Sequence, residues 1–197
     1  MVRYAITDGT AGSAEGTARL LQNTRRWMKE GIDFVQLREK ALEAGDLLSL
    51  ATSLAELLHA GGRTRLLVNG RPDVAVTAGA DGVHLTARPG ELTPEQVRRI
   101  FAAAGAVPPV VSVACHTTAQ VERAAKAGAD LILFGPVFEK RVDGIVVVEG
   151  VGLVALAEAC RTAGNRPVLA LGGVTADHAE ACRSAGAAGV AGIRHFR

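Results

Sequence analysis

Short apolar runs alternate with longer stretches of helical periodicity along the whole chain, and this alternation restricts the fold more than any other feature. The runs cover residues 4–7, 34–37, 66–68, 83–85, 110–114, 131–134, 168–171 and 189–193. Each is too short for a helix and is bounded by Gly, Asp or Asn, which is how parallel strands buried on both faces read. Between them, Leu47, Leu50, Leu54 and Leu57 or Leu58 share one helical stripe; Leu20, Trp27 and Met28 mark another, and Val121, Ala124 and Ala125 a third. Ser13, Thr93 and Thr175 stand where helix N-caps belong, and Thr93-Pro94-Glu95-Gln96 has the form of a capping box. Strand then helix, repeated, with eight strand candidates, predicts an α/β protein of the (β/α)8 TIM-barrel type in one domain over residues 1–197. No G-x-G-x-x-G follows the first run, which argues against an open dinucleotide-binding sheet.

Composition removes other classes. With 48% hydrophobic and 21% charged residues, the 197-residue chain can bury a core and is not a disordered segment. A formal charge of +2, from 22 basic and 20 acidic residues, argues against nucleic acid as a partner. No apolar run approaches the roughly 20 residues of a membrane helix, and no signal peptide is visible. The expected location is therefore cytoplasmic. Cys115, Cys160 and Cys182 are odd in number and lack C-x-x-C spacing, so they read as buried small hydrophobes in a reducing compartment. The length is short for such a barrel, where about 250 residues is typical. The sequence stops at Phe196-Arg197, straight after the eighth run, which predicts a compact barrel lacking its final helix. Apolar surface left open between the first and seventh helices would then favour a homo-oligomer.

In a barrel of this kind the chemistry sits just after each strand. Alternation along the second run sends Gln36, Arg38 and Lys40 to one side, toward the barrel axis or mouth. That trio reads as a phosphate or pyrophosphate clamp, the alternative being an ion pair with Glu39 or a carboxylate on a neighbouring strand. Leu171-Gly172-Gly173-Val174-Thr175 ends the seventh run and opens a helix, at the usual phosphate site of such barrels, although Gly-Gly also serves many tight turns. Arg194 at the end of the eighth run could add charge. His84 in the fourth run and His116 after the fifth are placed at the mouth, and each is a candidate general acid/base or a structural hydrogen-bonding residue. No metal-ligand spacing and no hydrolase motif appear.

The motifs AITD, QLREK, LVNGRPDVA, ADGVHL, CHT, GADLILFGPVF, LALGGV and GAAGVAGI occur in this order, and together they resemble the thiamine phosphate synthase/TenI superfamily over nearly the whole chain. The resemblance implies a (β/α)8 barrel that handles thiamine precursors. It implies that Gln36, Arg38, Lys40 and Asn69 bind the pyrimidine diphosphate side and that Gly172, Gly173 and the end of the eighth strand hold the thiazole phosphate. Several positions depart from the family pattern. The two magnesium-binding carboxylates of the synthases correspond to Gly70 and Pro89, and the serine before the Cys-His-Thr run is Ala114. The Thr-x-Thr-Lys loop is replaced by Glu139-Lys140-Arg141-Val142-Asp143-Gly144. The catalytic histidine of the studied tautomerases corresponds to Pro136.

Without both carboxylates a magnesium-assisted departure of diphosphate is disfavoured. The expectation is therefore metal-independent tautomerisation of a thiazole phosphate, a small phosphorylated substrate, with His116 or His84 moving the proton and no cofactor. The alternatives are a divergent thiamine phosphate synthase, in which Mg²⁺ would return as cofactor, and a non-catalytic binder of thiamine precursors.

Overall fold

The computed structural model describes residues 1–142, 145–193 and 196, and the backbone alone at residues 140–142 and 145. Eight parallel strands close into a barrel: β1 (Val2–Ile6), β2 (Phe34–Leu37), β3 (Arg65–Asn69), β4 (Gly82–Thr86), β5 (Val110–Cys115), β6 (Leu131–Phe134), β9 (Val168–Leu171) and β10 (Gly189–Gly192). Neighbours pair in chain order, and β10 returns to β1 with Tyr4 opposite Ala191. Strands β7 (Lys140–Val142) and β8 (Ile145–Val148) form a separate antiparallel hairpin.

Side chains alternate between two apolar layers, as the period of a strand requires. Tyr4, Ile6, Leu67, Leu133 and Leu169 pack together inside the barrel. Val35, Leu66, Val83, Val111, Ile132 and Ala170 face outward into the larger core shared with the helices. Seven α-helices supply that outer shell: α1 (Ala14–Lys29), α2 (Ala44–Gly61), α3 (Pro72–Thr77), α4 (Pro94–Ala103), α5 (Thr118–Lys126), α6 (Gly152–Ala163) and α7 (Ala179–Ser184). The leucine stripe of α2 is buried through Leu47, Leu50, Leu54 and Leu58. Ser13 caps α1 by accepting from the Gly16 amide, and Thr93 and Gln96 form the capping box of α4. Thr175 opens a single 3₁₀ turn, Ala176–His178, ahead of α7.

No helix follows β10 among the described residues, as the run count leads one to expect. The hairpin is a departure from the sequence reading, which left residues 139–144 as a loop. Its signal lies in the Asp143-Gly144 dipeptide ahead of Ile145-Val146-Val147-Val148, a composition that favours hairpins. No helix among the described residues is long and apolar enough to cross a membrane.

Candidate active site

The carboxyl ends of β2 and β3 bring Gln36 and Asn69 together. Gln36 pairs in register with Leu67, which places Asn69 two residues further along the next strand, on the same face. The Gln36 Nε2 donates to Asn69 Oδ1 at 2.9 Å. Gln36 is 1% exposed, and its Oε1 has no hydrogen-bond partner among the described residues. Arg38 follows on the same face, half-buried, with its backbone anchored by donation from its N–H to Thr7 Oγ1 at 2.9 Å. Lys40 is exposed and lines a cleft of about 360 Å³ with Leu37, Glu39, Asn69 and Arg71.

Glu39 does not serve as the counter-ion considered for Arg38 and Lys40. Its carboxylate organises the loop after β1, accepting from Thr7 Oγ1 at 2.5 Å, from Gly9 N at 3.1 Å and from Ala11 N at 2.9 Å. Arg71 forks onto Asp73 and holds that carboxyl below its usual range.

His84 lies one layer below the mouth, in the middle of β4. It is buried, with Nδ1 at 2.8 Å from Ser112 Oγ and 3.5 Å from Tyr4 Oη, and the Tyr4 hydroxyl is 3.1 Å from Ser112 Oγ. Burial lowers the His84 pKa to about 3, and the Arg38 charge pushes in the same direction. Burial likewise raises the Tyr4 phenol, against a smaller opposing effect of its hydrogen bond to Ser112. At neutral pH the imidazole is uncharged, which lets it sit inside the barrel without a counter-ion.

His116 stands at the mouth and is exposed. Its backbone N–H donates to Gln120 Oε1 at 2.6 Å, and its Nδ1 lies 2.5 Å from the Gly135 carbonyl. A carbonyl only accepts, so Nδ1 carries the proton and Nε2 is the basic nitrogen. Gly172 and Gly173 follow β9 with φ of +88° and +63°, a backbone that residues with a Cβ rarely adopt. Arg194 lies outside the described residues.

The sequence reading therefore finds Gln36, Arg38, Lys40, Asn69, His116, Gly172 and Gly173 around one end of the barrel and His84 beneath it. It missed Tyr4 and Ser112 as polar partners of His84. Their signal was available: in register, His84 faces Ser112 across β4 and β5.

The fit of a magnesium ion can be tested on the donors present. Gly70 and Pro89 offer no side-chain oxygen. Among the described residues, no group of three or more His, Cys, Asp or Glu side chains is placed to hold a metal ion. Carboxylates at this end of the barrel are engaged: Asp8 by Thr10 Oγ1 at 2.6 Å, Glu39 by the β1 loop, Asp73 by Arg71 and Glu91 by Thr86 Oγ1 at 2.9 Å. The residues do not fit a protein-held Mg²⁺ site, which wants several hard oxygens free to converge.

A family profile described as thiamine monophosphate synthase (TMP-TENI) matches residues 3–196. The chain is similar to the thiamine-phosphate synthase of Methanoculleus marisnigri, with 38% identity over 195 residues, 96% of this chain and 84% of that one. It is also similar to a putative thiamine-phosphate synthase of Geobacter sulfurreducens, with 37% identity over 191 residues, 95% of this chain and 83% of that one. Among solved structures, the thiamine phosphate pyrophosphorylase of Pyrococcus furiosus superposes with a TM-score of 0.78 at 25% identity, covering 98% of this chain and 85% of that one.

Proposed function

The chain belongs to the thiamine monophosphate synthase family, and on that footing we propose that it joins hydroxymethylpyrimidine diphosphate to a thiazole phosphate, yielding thiamine phosphate and diphosphate. Its place is in thiamine biosynthesis. The relatives are named synthases, which favours the ligation over the tautomerisation expected from the sequence.

The observation that carries this reading is the unpartnered Oε1 of Gln36. A buried carbonyl oxygen without a donor costs roughly 1–3 kcal/mol. The amino group of a pyrimidine supplies that donor, whereas a thiazole phosphate alone has no amino group to offer. The cations of Arg38 and Lys40 beside it suit the diphosphate of the same substrate. In the reaction, the thiazole nitrogen lone pair forms the C–N bond to the pyrimidine methylene carbon. The C–O bond to diphosphate breaks, and the leaving group keeps the electron pair. The new nitrogen is quaternary, so no proton moves in this step. Arg38 and Lys40 offset the charge that grows on the departing oxygen.

The test is incubation of the purified chain with both precursors, with Mg²⁺ and with EDTA, following thiamine phosphate by chromatography. Product with both precursors present, falling about 10- to 100-fold in Gln36→Leu through a raised KM for the pyrimidine, supports the reading. Isomerisation of the thiazole phosphate with no ligated product would restore the tautomerase. Binding of either precursor with no turnover would make the chain a non-catalytic binder.

A further inference from the structure

Two loops at the barrel mouth are clamped to each other, and the residue that closes the clamp belongs to none of the groups assigned so far. The segment after β6 runs against the segment after β9. Val137 N donates to Leu171 O at 2.8 Å, and Phe138 N donates to Gly172 O at 3.0 Å. The approach is so close that a Cβ on Gly172 would fall 2.5 Å from Pro136 Cβ, and one on Gly173 would fall 2.6 Å from the carbonyl oxygens of Phe138 and Glu139.

Two successive glycines with positive φ give a turn that many backbone conformations could replace, so the turn is defined by what holds it. His178, in the 3₁₀ turn ahead of α7, does this from two directions. Its ring stacks on Phe138 with centroids 3.8 Å apart and planes 12° from parallel. Its Nδ1 lies 3.3 Å from the Thr175 amide and 3.3 Å from the Gly173 carbonyl. The Thr175 amide only donates and the Gly173 carbonyl only accepts, so Nδ1 bonds one of them at a time; as acceptor from Thr175 it closes the turn with the ring proton on Nε2. One side chain thus ties residues 173–175 to their own turn through the amide and to the β6 loop through the stack.

We propose that His178 is a positioning residue for a phosphorylated substrate: clamped on Phe138, it presets the Gly172–Gly173 turn in its phosphate-binding shape. The proposal rests on the synthase reading, with the thiazole phosphate at that turn as the family resemblance implies. A turn held in its bound shape before the ligand arrives loses less entropy on binding. His178 acts through the turn, so its removal weakens binding of the phosphate-bearing thiazole and leaves the ligation step unchanged.

The experiment uses the full chain, its His178→Ala, His178→Asn and His178→Phe variants, and two readouts. Calorimetry with thiazole phosphate should show an affinity about tenfold lower in His178→Ala, with kcat within about twofold of the parent. His178→Asn keeps an acceptor for the Thr175 amide and His178→Phe keeps the stack, so each should recover part of the loss. Should the alanine variant fail to fold, these two carry the comparison. Amide hydrogen exchange in the absence of ligand should show the Thr175 amide opening at least about tenfold faster in His178→Ala, with the strand amides of β9 unchanged. Parent-like affinity in His178→Ala overturns the substrate-positioning role, and parent-like exchange overturns the clamp itself. A parent chain that binds no thiazole phosphate brings down the synthase reading instead, and with it this substrate assignment.

Discussion

At the scale of single residues, His84 shows what placement inside a barrel does to chemistry. The same imidazole at the mouth would titrate in the neutral range; surrounded by Tyr4, Ser112 and apolar side chains it is held neutral. The folded pKa of about 3 lies below the roughly 6.5 of an unfolded histidine. Between those values the unfolded chain binds a proton that the folded chain refuses. Stability from this residue is therefore complete above pH 6.5 and is lost as the pH falls, by about 1.4 kcal/mol per unit. From pH 6.5 to pH 5 the loss should come to about 2 kcal/mol, read as a lower urea midpoint. His84→Gln should flatten that dependence, and parallel curves for the two proteins would sink the assignment. The sequence put His84 among the mouth residues because a short apolar run does not say where along a strand the solvent begins. Gln36 was legible in its direction, through alternation, but not in its state. That one end of its amide is tied to Asn69 and the other is free follows from the register of β2 on β3, which no local pattern reveals.

At the scale of elements, the strands were readable because each is largely buried on both faces and so mostly apolar, between polar breaks. The hairpin β7–β8 was not, because it packs into neither apolar layer: Val146, Val147 and Val148 are exposed. Strands β4 and β5 approach each other closely, and a glycine permits it. A Cβ on Gly82 would lie 1.9 Å from the Val110 carbonyl oxygen, backbone that can yield only if the strands part. Gly82→Ala should therefore lower stability by roughly 3 kcal/mol or more. At Gly79, with φ +69° and nothing within 4 Å of an added Cβ, alanine meets only backbone strain, of about 1–2 kcal/mol. Urea denaturation of the two variants compares them directly, and equal shifts would mean that the β4–β5 spacing is not what fixes the glycine.

At the scale of the whole molecule, Phe196 covers the α1 side of the seam expected between the first and seventh helices. Phe196 is 4% exposed and takes the place where apolar surface was expected to be left bare. Trp27 Nε1 donates to its carbonyl at 2.7 Å, Arg26 Nη2 donates to the same oxygen at 2.5 Å, and the Arg3 guanidinium lies 5.5 Å from the centre of its ring. These contacts to β1 and α1 cover locally what a helix would otherwise cover. Phe196 thus covers apolar surface on the α1 side of this seam. Trp27 is the chain's one tryptophan, so the seam reports on itself. Phe196→Ala should cost about 3 kcal/mol, at the low end for a buried phenylalanine because the site lies at the barrel's edge. Water admitted beside the indole should shift its emission to longer wavelength below the unfolding transition. An unchanged midpoint together with unchanged emission would mean that Trp27 is covered without Phe196, and that α1 needs no closing contact on this side.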